Sequence, residues 1–149
     1  MEETLIKRSM PNSLDAEQSV IGSMIMDKDA ILTAMEMLTS DDFYHKQYGI
    51  LFDAVIELYS KGLPVDLITL QNKLKEKEVP EEISSLSYVK ELLDAVPTSA
   101  NIKYYAKIVK DNSMRRRLIR LNEEIENECY AGKESIDTVM DMTEKKVFD

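Results

Sequence analysis

Few side chains in this sequence have both the type and the spacing that chemistry requires. His45 is the only histidine and Cys129 the only cysteine, so the set of partners that a zinc site needs is missing. We expect His45 to be structural or on the surface, and Cys129, which lies on an apolar stripe, to be a small buried side chain. The paired acids Asp41–Asp42 and Glu81–Glu82 are far more typical of helix caps and solvated loops than of acid–base catalysis.

Gly132-Lys133 is the nearest approach to a phosphate-binding loop. That motif needs Ser or Thr after the lysine and a glycine five residues before the Gly-Lys pair. Position 134 is Glu and position 127 is Asn, so the match fails. The chain therefore has no nucleophile with its base, no metal-ligand set and no cofactor loop. We predict that it is not an enzyme and that it binds no cofactor or metal.

Composition favours a helical fold. The 149 residues are 44% hydrophobic, enough for a core, but include only four Gly, four Pro and no Trp. Such scarcity of turn residues argues against many short strands. The net charge of −9 is carried by residues 1–96, whereas residues 97–149 are balanced. A single cysteine, no signal peptide and no apolar run long enough to cross a bilayer predict a cytoplasmic protein without a membrane.

Apolar residues recur at helical spacing along the chain. The strongest stripe, which we predict to be core, is Tyr48, Leu51, Phe52, Val55 and Ile56. Asn12 or Ser13 is expected to cap the first helix, Asp66 a later one, and Gly62 to end the helix between them. Gly22 lies inside the first helix, where it costs about 1 kcal/mol relative to Ala unless another helix approaches closely. Residues 80–85 are predicted to form a loop.

The chain changes character near Pro97-Thr98-Ser99. We predict a globular helical bundle over residues 1–97, ended by Pro97, and an αα-hairpin of two long helices over residues 98–149 with its turn at Gly132. A hairpin has little core of its own and must bury its apolar faces against something else. We therefore predict self-association, and the candidate residues are Leu118, Leu121, Ile136 and Met140. The amphipathic pattern continues to Phe148-Asp149, which suggests a piece cut from a longer protein.

A basic cluster supports an alternative function. Arg115–Arg117 with Arg120 would suit a helical domain that binds nucleic acid, although the net charge of −9 opposes this. Ion pairing with the acidic run that begins at Glu123 is the other reading of the cluster. A small helical enzyme is a third hypothesis, which the missing catalytic groups make the weakest.

Seven segments resemble, in order and spacing, the amino-terminal domain of bacterial replicative DNA helicases of the DnaB type. They are PNSLDAEQSVIG at 11–22, DFY at 42–44, GLPVD at 62–66, SY at 87–88, AVPT at 95–98, NIKYYA at 101–106 and RRLIR at 116–120. Each segment alone is weak evidence, whereas the ordered set is specific and covers nearly the whole chain.

The resemblance implies a bundle and a hairpin that form a collar on a hexameric motor ring. Hairpins of such domains pair between subunits, which gives a trimer of dimers, and the collar receives the carboxy-terminal domain of primase and, in some bacteria, a helicase loader. The parent protein would be an ATP-dependent 5'–3' helicase of the bacterial nucleoid, with its motor beyond residue 149. Single-stranded DNA would pass the full ring without binding this piece strongly.

A partner site is predicted on the surface where bundle and hairpin of neighbouring subunits would meet. Tyr88 follows an exposed loop, so its hydroxyl is expected in water, and Asp15 at the start of the first helix suits a basic partner residue. Ile119 points outward beside Arg116, whereas Ile125, six positions later, lies on a different face. These five residues are the candidate contacts for primase. Tyr88 and Ile125 are equally compatible with a place in the core.

Overall fold

The structure, a computed structural model, describes residues 8–96, 99 and 101–149. This part of the chain is helical and has no strand, which confirms the predicted all-α fold. Its helices are α1 (Leu14–Met26), α2 (Lys28–Met37), α3 (Lys46–Ser60), α4 (Leu67–Glu76), α5 (Glu81–Ser84), α6 (Leu86–Asp94), α7 (Ile102–Ala131) and α8 (Ile136–Phe148), with a short 3₁₀ turn at Ser40–Asp42 between α2 and α3. No helix in the described part is long and apolar enough to cross a membrane.

The chain divides into two compact units. The bundle unit is Asn12–Asp111, and the hairpin unit combines Asn112–Asp149 with the N-terminal residues before Asn12. The bundle unit thus extends past the boundary at 97/98 expected from the sequence, because Ile102, Ala106 and Val109 at the start of α7 belong to its core. Of Pro97, Thr98 and Ser99, on which that boundary rested, the first two lie outside the described residues.

The core of the bundle unit is built around α3. Tyr48, Leu51, Phe52 and Val55 are buried, as predicted from their spacing, and Ile56 packs against them while partly exposed. The Phe52 ring lies 5.2 Å from the ring of Phe43, which follows the 3₁₀ turn. Rings at this separation stabilise a core beyond the area that they bury.

Gly22 marks a close approach inside the bundle unit. A Cβ atom added at Gly22 would lie 2.5 Å from Cγ2 of Val96, which follows α6. The expected close approach at this glycine is therefore present, but the neighbour is a residue that follows α6 and not one within a helix. Any side chain here would force Val96, a short and stiff residue, to move.

Local signals define most helix ends. The side chain of Ser13 accepts a hydrogen bond from the Ala16 N–H (3.2 Å), and that of Asp66 accepts one from the Thr69 N–H (2.9 Å). Gly62 adopts a left-handed conformation (φ 71°) after α3, as its predicted role requires. The expected loop at residues 80–85 is wrong, because Glu81–Ser84 forms the single turn α5.

Candidate functional site

A glycine turn builds the hairpin unit. α7 ends at Ala131, and Gly132 has a positive φ of 62°, a conformation that suits glycine and terminates helices. The Ser135 side chain then accepts a hydrogen bond from the Thr138 N–H (3.2 Å) and caps α8. The predicted turn at Gly132 is therefore confirmed.

Few contacts are buried inside this unit. Among its described residues, Leu121 and Val139 are the buried apolar ones. The Arg117 guanidinium donates to the carbonyl oxygen of Lys146 (2.6 Å), and the Lys146 ammonium lies 2.9 Å from the Glu124 carboxylate. Exposed ion pairs of this kind contribute about 1 kcal/mol or less, so the hairpin unit gains little stability from its own interior.

Much of the apolar surface of the hairpin unit is exposed. Its exposed large apolar residues are Met114, Leu118, Ile119, Tyr130, Ile136, Met140, Met142, Val147 and Phe148. Of the four residues predicted for self-association, Leu121 is buried within the unit and the other three are exposed. Cys129 is also exposed, so the prediction that it is buried is wrong, because α8 alone does not cover the whole stripe of α7. This many exposed large apolar residues in one small unit is typical of a protein interface.

The consecutive arginines have three different surroundings. Arg115 is exposed and donates to the side-chain oxygen of Asn112 (3.3 Å). Arg116 is only 3% exposed and donates from Nη1 to the carbonyl oxygen of Pro11 (2.8 Å), whereas Arg117 contacts α8. Binding to a phosphate backbone needs several cations on one accessible face. The three consecutive arginines therefore do not share one cationic face, which disfavours them as a nucleic-acid site, and Arg116, predicted as a partner contact, is not accessible. Arg117 instead lines a groove of mixed charge with Arg120, Lys145, Lys146, Glu124 and Asp149.

An open groove of about 870 Å³ lies between the N-terminal residues and α7. Its lining is Arg8, Ser9, Met10, Pro11, Leu118, Ile119, Asn122, Glu123 and Glu126. Ile119 is 39% exposed, in agreement with its predicted outward direction. Ile125 is half-buried and lines a separate groove toward Val139 of α8, so Ile119 and Ile125 face different sides of α7, as their spacing predicts.

Tyr88 lies in the bundle unit and does not present its hydroxyl to water. Its side chain is half-buried, and its hydroxyl oxygen is buried without a hydrogen-bond partner. Burial raises the pKa of Tyr88 well above its usual value. The expectation of a hydrated hydroxyl is therefore wrong, because the ring of Tyr88 packs against the core from the first turn of α6. Asp15 is exposed in the first turn of α1, where a partner can reach it.

Sequence reasoning did not assign the buried carboxylate of Glu17. This residue is 1% exposed, and its two oxygens accept hydrogen bonds from the backbone N–H groups of Tyr44 (3.2 Å) and His45 (3.0 Å). The Nδ1 atom of His45 also lies 3.1 Å from Glu17 Oε1. The carboxylate thus holds the backbone that enters α3. The available signal was the place of Glu17 on the apolar stripe of α1.

Comparison with known proteins extends these observations. A family model described as the DnaB-like helicase N-terminal domain matches residues 9–111. The replicative DNA helicase DnaB of Geobacillus stearothermophilus is 40% identical over 149 residues, which are 100% of this chain and 33% of that protein. The replicative DNA helicase DnaC of Bacillus subtilis (strain 168) is 35% identical over the same length and is also covered to 33%. The chain therefore spans about a third of the length of these curated relatives.

Two solved structures share the fold. The crystal structure of the N-terminal domain of DnaB helicase from Mycobacterium tuberculosis superposes with a TM-score of 0.87 at 34% identity, covering 95% of this chain and 99% of that one. The N-terminal domain of DnaB helicase from Helicobacter pylori, which was described with its interactions with primase, has a TM-score of 0.68 at 22% identity. The superposition covers 78% of this chain and 90% of the Helicobacter pylori chain.

Proposed function

Because the chain belongs to the family of DnaB-like helicase N-terminal domains, we propose that it is an assembly module that joins helicase subunits and docks primase. The chain is the N-terminal domain of a replicative helicase, and the ATPase motor of its relatives lies in the remainder that it does not match. Its own contribution to replication would then be contacts with other proteins.

The exposed apolar surface of the hairpin unit carries this proposal. Ile136 at the start of α8 is 68% exposed, and Met140 one turn later is exposed as well. Monomeric proteins rarely leave large contiguous apolar patches in water. We propose that a second copy of the chain covers Ile136 and Met140, so that these two side chains become buried in a dimer within the full helicase hexamer.

Light scattering after gel filtration tests self-association. The double variant Ile136→Asp/Met140→Asp should be monomeric at concentrations where the unmodified chain is dimeric, because it places two charges in the proposed interface. The matched control is Ile68→Asp, since Ile68 on α4 of the bundle unit is 67% exposed, almost the same as Ile136. Equal molar masses for the double variant and the unmodified chain would exclude this interface.

Primase docking is the second part of the proposal. Support comes from the Helicobacter pylori relative and its interactions with primase, and from the accessible candidates Asp15 and Ile119. A few apolar anchors next to polar groups dominate the affinity of such interfaces. Tyr88, Arg116 and Ile125 are less accessible than these two, so we assign them supporting positions. A helicase loader is a further proposed partner.

Calorimetric titration with the cognate primase C-terminal domain tests the docking. Ile119→Asp should weaken binding at least about tenfold, or about 1.4 kcal/mol, and Asp15→Asn should weaken it less. Ile68→Asp again serves as the control for an added surface charge. Unchanged affinity of Ile119→Asp, with unchanged circular dichroism, would remove the groove from the proposed site.

A further inference from the structure

The buried guanidinium of Arg116 points to a role other than direct contact. A buried cation is costly unless hydrogen bonds satisfy it, and Nη1 of Arg116 donates to the Pro11 carbonyl oxygen at 2.8 Å. The two residues are separated by 105 positions in the chain. The bond therefore joins α7 to the segment that we call the N-terminal strap, residues 8–11.

The strap forms one wall of the 870 Å³ groove. It has no helical or strand structure, so regular backbone hydrogen bonding does not fix its position. The opposite wall is α7, which contributes the apolar side chains of Leu118 and Ile119 and the acids Glu123 and Glu126. The width of the groove thus depends on where the strap lies, and the hydrogen bond from Arg116 to Pro11 contributes to that position.

We propose that Arg116 is a positioning residue for partner binding, because it holds the strap in place as a wall of the groove. The occupant that fits is an amphipathic helix with apolar side chains on Leu118 and Ile119 and basic side chains toward Glu123 and Glu126. This inference rests on the proposed function, in which the occupant belongs to the primase C-terminal domain. Preorganisation of a groove raises affinity because less conformational freedom is lost on binding.

Trypsin cleavage after Arg8 measures whether the strap is held. Trypsin must draw residues 9–11 into its active site in an extended form, so cleavage requires the strap to leave the groove wall. Arg116→Met keeps the volume of the side chain and removes the hydrogen bond. We expect cleavage after Arg8 to be at least about tenfold faster in this variant. The control is Arg115→Met, which changes an exposed arginine that does not line the groove.

Titration of the same variants with the primase C-terminal domain measures the consequence for binding. Arg116→Met should bind at least about fivefold more weakly, through a faster dissociation rate, while Arg115→Met binds like the unmodified chain. Arg116→Gln keeps a shorter donor and should give a smaller loss. It also serves as the second variant if Arg116→Met lowers the thermal stability of the whole chain.

The outcomes separate this inference from the proposed function. Unchanged cleavage after Arg8 in both Arg116 variants would show that Arg116 does not hold the strap. If the Arg116 variants are cleaved faster but bind the primase C-terminal domain as tightly as the unmodified chain, the strap does not shape the binding site. Failure of the unmodified chain to bind primase would overturn the docking proposal, and with it the binding step here, whereas the cleavage comparison would still decide the position of the strap.

Discussion

Replacement of Glu17 by alanine tests whether one buried carboxylate organises the entry to α3. The two oxygens of Glu17 accept the backbone N–H groups of Tyr44 and His45 at 3.2 and 3.0 Å, and the His45 ring lies 3.1 Å away. The Glu17→Ala variant leaves both backbone donors without this acceptor. We therefore predict that the substitution lowers the global stability of the chain.

The expected loss of unfolding free energy follows from the number of backbone N–H donors that lose their acceptor. A buried polar group left without its partner costs about 1–3 kcal/mol, so two donors would cost about 2–6 kcal/mol. Both hydrogen bonds are partly exposed, which lets water reach the freed groups, and we expect about 2–3 kcal/mol. Urea unfolding followed by circular dichroism at a fixed pH resolves a change of this size, because small domains have stabilities of about 5–15 kcal/mol.

Two control variants isolate the contribution of the carboxylate. Asp15→Ala removes an exposed acid from the first turn of the same helix, and should cost about 0.3–1 kcal/mol through the helix dipole. Glu17→Gln keeps one acceptor oxygen, so its loss of unfolding free energy should lie between those of the two alanine variants. A loss below about 1 kcal/mol in Glu17→Ala, or a loss equal to that of Asp15→Ala, would refute the reasoning.

The remaining predictions concern packing in the bundle unit. Phe52→Ala should cost about 3–5 kcal/mol from lost transfer energy and a cavity, and a cost below about 1 kcal/mol in a urea melt would show that this face is not core. Gly22→Ala should lower the melting temperature, because overpacking against Val96 costs about 1–3 kcal/mol and outweighs a helix-propensity gain of about 1 kcal/mol. Adding Val96→Ala to this variant should restore part of the lost stability. A Gly22→Ala variant more stable than the unmodified chain would contradict the close approach. Tyr88→Phe should be neutral or stabilising by up to about 1 kcal/mol, since the hydroxyl is buried without a partner, and clear destabilisation in the same assay would show that this hydroxyl is hydrogen-bonded.

The features predicted correctly from the sequence are those encoded within a few residues. The stripe from Tyr48 to Val55, the cap at Asp66 and the glycine turns at positions 62 and 132 all depend on neighbours in the chain. The single turn α5 escaped prediction because four residues are too few for a periodic pattern. Local signals therefore determine most helix ends without reference to the rest of the fold.

The features that escaped prediction depend on residues far apart in sequence. Arg116 was expected at a surface because it belongs to a run of arginines, yet its partner is 105 positions away. Sequence reasoning assigned no role to Glu17, yet its oxygens accept hydrogen bonds from backbone N–H groups 27 and 28 positions later. Neither distance leaves a periodic signal, so only the folded chain reveals them.

The segments that resemble the helicase family contain many internal contacts of the fold. Within them, Asp42 accepts a hydrogen bond from the Thr39 N–H (2.8 Å) and lies 3.4 Å from the Lys110 ammonium. Gly22 in the first segment permits the approach of Val96, and Arg116 in the last contacts Pro11. Residues of this kind specify the architecture, which explains why the ordered segments identified the family.

Partner contacts need accessible side chains, and these lie largely elsewhere. Ile136 and Met140 on α8 are exposed and lie outside all seven segments. Of the five predicted primase contacts, all of them except Ile125 within the segments, Ile119 and Asp15 are exposed, and they are the contacts that we retain for primase. Subunit association and primase docking should therefore respond to different substitutions. Ile136→Asp/Met140→Asp should abolish the dimer while a titration still detects primase binding to the groove, and a simultaneous loss of both would show that the groove is complete only in the dimer.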